Sequence, residues 1–162
     1  MWAYMVNAAR GMSPVKILAV VEGAWSDAKV MRGVRLAARG PVYLMDRGFY
    51  AFDLLDEWLS QGVRFILRVR EKDLRYEVIR TVSEPRSIDK KYLIMDAIVR
   101  LGGAQAKRHP QVRLLIARLA SGENLVLATD RLKWSAARVL ASYKERWHIE
   151  RFHRFLKDAL GL

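Results

Sequence analysis

The chain contains no cysteine, which excludes disulfide cross-links and any thiolate metal centre. Its three histidines, at positions 109, 148 and 153, are too few for most imidazole-based zinc sites. No apolar run approaches the roughly 20 residues that a membrane helix needs. The apolar N-terminal stretch is broken by Arg10 and Lys16 and does not read as a signal peptide. A cytoplasmic location with no membrane partner is therefore expected. Internal repeats and low-complexity segments are also absent. Acidic side chains are scarce, 17 against 29 Lys and Arg, and the formal net charge is +12. That excess favours a polyanionic partner, most simply a nucleic acid; the competing reading is an arginine-rich but ordinary solvated surface.

What is present describes a packed globule. Hydrophobic residues make up 52% of 162 residues, enough for one domain with a real core. Two strands are expected at Trp2 to Ala9 and Val15 to Val21, parted by Gly11-Met-Ser-Pro14. Ser26 or Asp27 can cap a helix running to about Arg39, where Gly40-Pro41 stops it. Val42 to Met45 reads as a buried strand. Tyr50 to Gln61 has helical spacing, with Phe52, Leu55, Trp58 and Leu59 on one side. Phe65 to Val69 is a further strand, and this β, β, α, β, α, β order favours an α/β layer fold. Strands at Tyr76 to Val82, Tyr92 to Leu101, Val112 to Leu119 and Leu125 to Ala128 then read as an antiparallel β insertion over about residues 74–128. From about Ser135 onward the pattern is helical.

Two places carry candidate chemistry. Asp46 follows the strand Val42 to Met45, at the end of a strand where α/β sheets hold their ligands, and Gly48 permits a sharp turn beside it. Equally, Asp46 can simply cap the helix beginning near Tyr50. In the C-terminal helix Tyr143, Arg146, Glu150 and Lys157 lie at offsets of three, seven and fourteen. At about 100° per residue they fall within an arc of roughly 60°. An apolar stripe of Ile149, Phe152, Leu156 and Leu160 lies on the order of 110° away, so that Glu150 flanks the buried side. The plain alternative for Glu150 is an ion pair with Arg146 at i,i+4. If Asp46 and Glu150 converge, hard oxygen ligands suit Mg²⁺ or Mn²⁺. Arg146 and Lys157 are then placed for phosphates, and Tyr143 for stacking or hydrogen bonding.

These residues resemble a known pattern. The spacing Tyr143-x2-Arg146-x3-Glu150-x6-Lys157 is similar to the YREK signature of DDE transposases of the insertion-sequence-4 group. Gly23-Ala-Trp-Ser-Asp27, Leu44-Met-Asp46-Arg-Gly-Phe-Tyr50 and Phe65-Ile-Leu-Arg-Val-Arg70 resemble further elements of that group in the right order. The resemblance implies a ribonuclease-H-like mixed sheet with flanking helices and a β insertion before the last catalytic helix. It also implies metal-dependent cleavage at transposon ends and strand transfer into target DNA. Asp46 and Glu150 are then catalytic metal-binding carboxylates, with Mg²⁺ or Mn²⁺, while Tyr143, Arg146 and Lys157 contact double-stranded DNA. A dimer with itself or with an intact transposase belongs to the same expectation.

One departure stands out. The group's first catalytic Asp lies on a strand upstream of Trp2 to Ala9, and no Asp precedes Asp27 here. Residues 1–162 thus read as a partial DDE catalytic domain, shortened at the N-terminus and at the C-terminus and lacking the first core strand. Low activity alone is expected, because each metal ion needs several fixed ligands. The alternative is a non-catalytic DNA-binding remnant or a regulator of an intact transposase.

Overall fold

The computed structural model describes residues 2–5, 16–20, 27–38, 40–102 and 111–146. Strands β1 (Trp2–Met5) and β2 (Lys16–Val20) pair antiparallel as a sheet of their own. The main sheet has seven strands. They are β3 (Val42–Met45), β4 (Arg64–Val69), β5 (Tyr76–Thr81), β6 (Arg86–Ile88), β7 (Lys91–Leu101), β8 (Gln111–Arg118) and β9 (Asn124–Thr129). Their order is β3-β4-β9-β8-β7-β5, with β6 beside β7. Among the described residues only β3 and β4 of this sheet pair parallel and its other pairings are antiparallel, so the sheet is mixed and open. The architecture is the expected α/β one, with a ribonuclease-H-like mixed sheet. The strands between residues 74 and 129 extend that sheet through the β4–β9 pairing rather than forming a second one.

Strand alternation sorts the core into two faces. Phe65, Leu67, Val69, Leu114, Ile116, Val126 and Ala128 point one way, toward Leu54, Leu55 and Trp58 of α2 (Phe52–Gln61). Leu44, Ile66, Leu115 and Leu127 point the other way, toward Ala136, Val139, Leu140 and Tyr143 of α3 (Ala136–Lys144). Both faces of the central strands are thus buried, which is why their sequence runs are nearly continuous in apolar residues.

Helix α1 (Asp27–Met31) is far shorter than its sequence spacing suggests. Beyond it the amides of Gly33 and Val34 turn to three-residue bonds, onto Val30 and Met31. The Ala37 amide then donates to the Tyr43 hydroxyl at 2.8 Å instead of to a helical carbonyl. A tertiary bond has replaced a helical one there. By contrast α2 ends where expected, at Gly62 in the left-handed region with φ of 70°.

Among the described residues, no helix is long and apolar enough to cross a membrane.

Candidate active site

The parallel register of β3 and β4 pairs Met45 with Leu67, so the chain emerges at residue 46 next to residue 68. Asp46 keeps an extended backbone, with φ of −85° and ψ of 171°, and caps a short 3-10 turn over Arg47–Phe49. Its Oδ1 accepts the Arg47 amide at 2.7 Å. The capping role is therefore real, although it serves this turn; α2 begins later, after Ala51, without a side-chain cap. Gly48 lies inside the turn and is not among the glycines with positive φ, so a left-handed backbone is not what the turn requires of it.

Helix α3 brings the second half. Ser135 caps it by accepting the Arg138 amide at 3.2 Å. From there α3 crosses the sheet over Leu115, Leu127 and Ile66 and ends beside Asp46. Nine residues at about 1.5 Å each suffice for that span. Arg146, one turn past Tyr143, puts Nη1 3.7 Å from Asp46 Oδ2. Its guanidinium also lies over the Tyr143 ring, 5.7 Å from the centroid. Segments far apart in sequence thus converge at the carboxyl end of β3.

Tyr143 is less exposed than its place on a charged helix arc suggests. Its ring belongs to the core beneath α3 and only 6% of the residue is accessible. Burial pushes its phenol up to about 12; the Asp46 charge adds to this, while Arg146 and Arg68 oppose it. The phenol thus stays neutral at any ordinary pH, a hydrogen-bonding group rather than a base. Arg68 was not singled out from sequence. Its signal was there: it interrupts the apolar run of β4 at a position where alternation points inward.

Glu150 and Lys157 lie outside the described residues, as do Gly23 to Ser26 and the stripe from Ile149 to Leu160. Among the described residues no group of three or more His, Asp or Glu could hold a metal ion. Asp46 fits as one hard-oxygen ligand, half-exposed at a strand end, and supplies only part of the coordination that a divalent ion needs.

The matching family model is described as a transposase DDE domain and covers residues 20–162. A Geobacillus stearothermophilus protein named as a probable transposase for insertion sequence element IS5377 is 26% identical over 133 residues. That alignment takes in 80% of this chain and 34% of the relative. A Sinorhizobium fredii protein, provisionally named transposase y4zB, is 26% identical over 152 residues, 91% of this chain and 41% of its own length. The chain therefore spans between a third and just over two-fifths of the length of these relatives. No solved structure matches it. With the family model matching all but the first nineteen residues, the chain belongs to the transposase DDE domain family.

Proposed function

We propose that this chain is part of the catalytic domain of a DNA transposase and binds double-stranded DNA at the carboxyl end of β3 and the end of α3. The observation that carries this reading is the meeting of Asp46 with Arg146 at 3.7 Å, which sets a carboxylate beside a phosphate-binding cation. The family reaction is nicking at transposon ends followed by attack of the freed 3′-hydroxyl on target DNA. In this reading Asp46 and Glu150 are the carboxylates that hold Mg²⁺ or Mn²⁺, the divalent metal such transposases use. When bound, the metal supplies an activated water or hydroxyl and stabilises the leaving oxygen. Tyr143, Arg146 and Lys157 contact the DNA, and their spacing resembles the signature of the insertion-sequence-4 group.

The 162 residues alone are expected to bind DNA and to cut it poorly, since no Asp precedes Asp27. A 3′-end nicking assay with Mg²⁺ or Mn²⁺ tests this. Robust cleavage by the isolated chain, abolished by Glu150→Gln, overturns the expectation of low activity while supporting the site. Salt-dependent duplex binding that weakens in Arg146→Ala supports the DNA-binding role. Binding indifferent to Arg146 and Lys157 removes the site from this end of the sheet. The second reading, a DNA-binding regulator without catalysis, is favoured by the charge at the site, where two arginines surround one described carboxylate.

A further inference from the structure

Asp96, Arg113 and Thr129 are the buried polar or charged residues among those described. Arg113 on β8 and Thr129 on β9 sit opposite each other, near the amino end of β4, whereas Asp46 lies by its carboxyl end. Here the chain leaves the sheet for α3, and side chains from both neighbouring strands hold the exit. From β4, the Phe65 carbonyl accepts the Thr129 hydroxyl at 2.5 Å and the Phe65 amide donates to Asp130 Oδ1 at 2.8 Å. From β8, Arg113 gives Nε and Nη2 to Asp96 and turns Nη1 to the carbonyls of Arg131, Leu132 and Trp134. The Ser83 hydroxyl donates to Asp96 Oδ2 and so fixes the carboxylate that orients the guanidinium. None of these groups touches the far end of the helix. Yet Arg146 lies eleven residues beyond the cap Ser135, about 16 Å along the axis, so a tilt of about 10° at the start displaces it by nearly 3 Å.

We infer that Arg113, oriented by Asp96, is a positioning residue for the site at the other end of α3: it sets the helix so that Arg146 meets Asp46. The consequence for binding rests on the DNA-binding role proposed above. A buried ion pair is a poor device for stability alone, since apolar side chains of similar volume often serve as well. What apolar side chains cannot supply is direction. The planar fork of Arg113 joins one carboxylate to three carbonyls at fixed angles, and so ties β7 and β8 to the turn that feeds α3. A merely structural pair behaves otherwise: changing it lowers the unfolding midpoint and leaves the site of the folded chain as it was.

The test uses Arg113→Lys, which keeps a cation for Asp96 but has one nitrogen in place of the fork. Asp96→Leu with Arg113→Met, an apolar replacement of the pair, serves should Arg113→Lys not fold. The first readout is a double-mutant cycle with Arg146→Ala, by fluorescence anisotropy with a labelled short duplex, well below each unfolding midpoint. Arg146→Ala is expected to weaken binding about tenfold in the unaltered chain and by less than about twofold beside Arg113→Lys. The second readout needs no DNA. Because the chain has no cysteine, Lys144→Cys on α3 and Glu123→Cys at the β8–β9 turn, both exposed, carry two unique spin labels. Their separation is expected to shift or broaden by on the order of 2–3 Å in the Arg113 variant. An unchanged separation with the full effect of Arg146→Ala overturns the inference and makes the pair structural, as does failure of both variants to fold. Should the unaltered chain bind no duplex while the separation still moves, the DNA-binding reading fails and the positioning role stands.

Discussion

The buried pair between Asp96 on β7 and Arg113 on β8 offers a sharp test of how the site is held. Arg113 Nε and Nη2 donate to the two Asp96 oxygens at 2.7 and 2.8 Å, with side-chain exposures of 1% and 0%. Ser83 Oγ adds a third bond to Asp96 at 2.5 Å. The remaining Arg113 nitrogen, Nη1, donates to the carbonyls of Arg131, Leu132 and Trp134, the turn that feeds α3. Asp96→Asn removes the charge but keeps the shape, leaving a buried guanidinium without its counter-ion. Breaking such a pair costs about 3–5 kcal/mol, and the lower end applies because the carbonyls remain. At roughly 2–4 °C per kcal/mol for a chain of this size, the unfolding midpoint should fall by about 6–12 °C. Asp53→Asn, which breaks the exposed pair with Arg32, should not move it measurably. Hydrogen exchange adds the local test: in Asp96→Asn the amides of α3 should lose more protection than those of β4. A loss under about 1 kcal/mol, or equal losses in α3 and β4, refutes the view that this pair anchors the helix.

Other expectations are smaller. Tyr143 ionises near 10 when unfolded and near 12 when folded, so its contribution is complete below pH 10 and is lost as pH rises through 12. Relative to Tyr143→Phe, the unaltered chain should lose about 2–3 kcal/mol over that window, measured by urea unfolding at stepped pH. Ser135→Ala removes the α3 cap on the Arg138 amide and should cost about 1 kcal/mol by the same method. On the proposed DNA-binding role, duplex binding should survive EDTA, because a chain of net charge +12 attracts phosphates without a metal; strict dependence on Mg²⁺ would contradict this.

Much of the fold was legible because its signals are local. The apolar runs of β3, β4, β8 and β9 are bounded by turn residues, and Ser135 and Gly62 mark helix ends by their own chemistry. The short α1 was not legible, since the Tyr43 hydroxyl that captures the Ala37 amide comes from another strand. The edge strand β6 escaped because its three residues are exposed or half-exposed and lack an apolar pattern. Asp46 was legible as a choice between cap and ligand. Only the arrival of Arg146 shows that the capping oxygen and the oxygen facing the site are different atoms of one carboxylate.

The same reasoning explains why Arg68 and Arg113 were both silent in sequence. Each is a cation within an apolar strand, on the face covered by α3, and periodicity treats them alike. Partners separate them. Arg113 has a carboxylate and three carbonyls at the start of α3, so its charge is neutralised inside the chain. Arg68 lies at the other end of the helix, near Asp46, where Arg146 already engages the carboxylate. A buried charge satisfied by a carboxylate and carbonyls fixes the position of a helix, and among the described residues Arg113 alone of the two has such partners. Helix α3 joins the two: anchored by Arg113 at its start, it delivers Arg146 to the end of the sheet where Asp46 and Arg68 lie side by side.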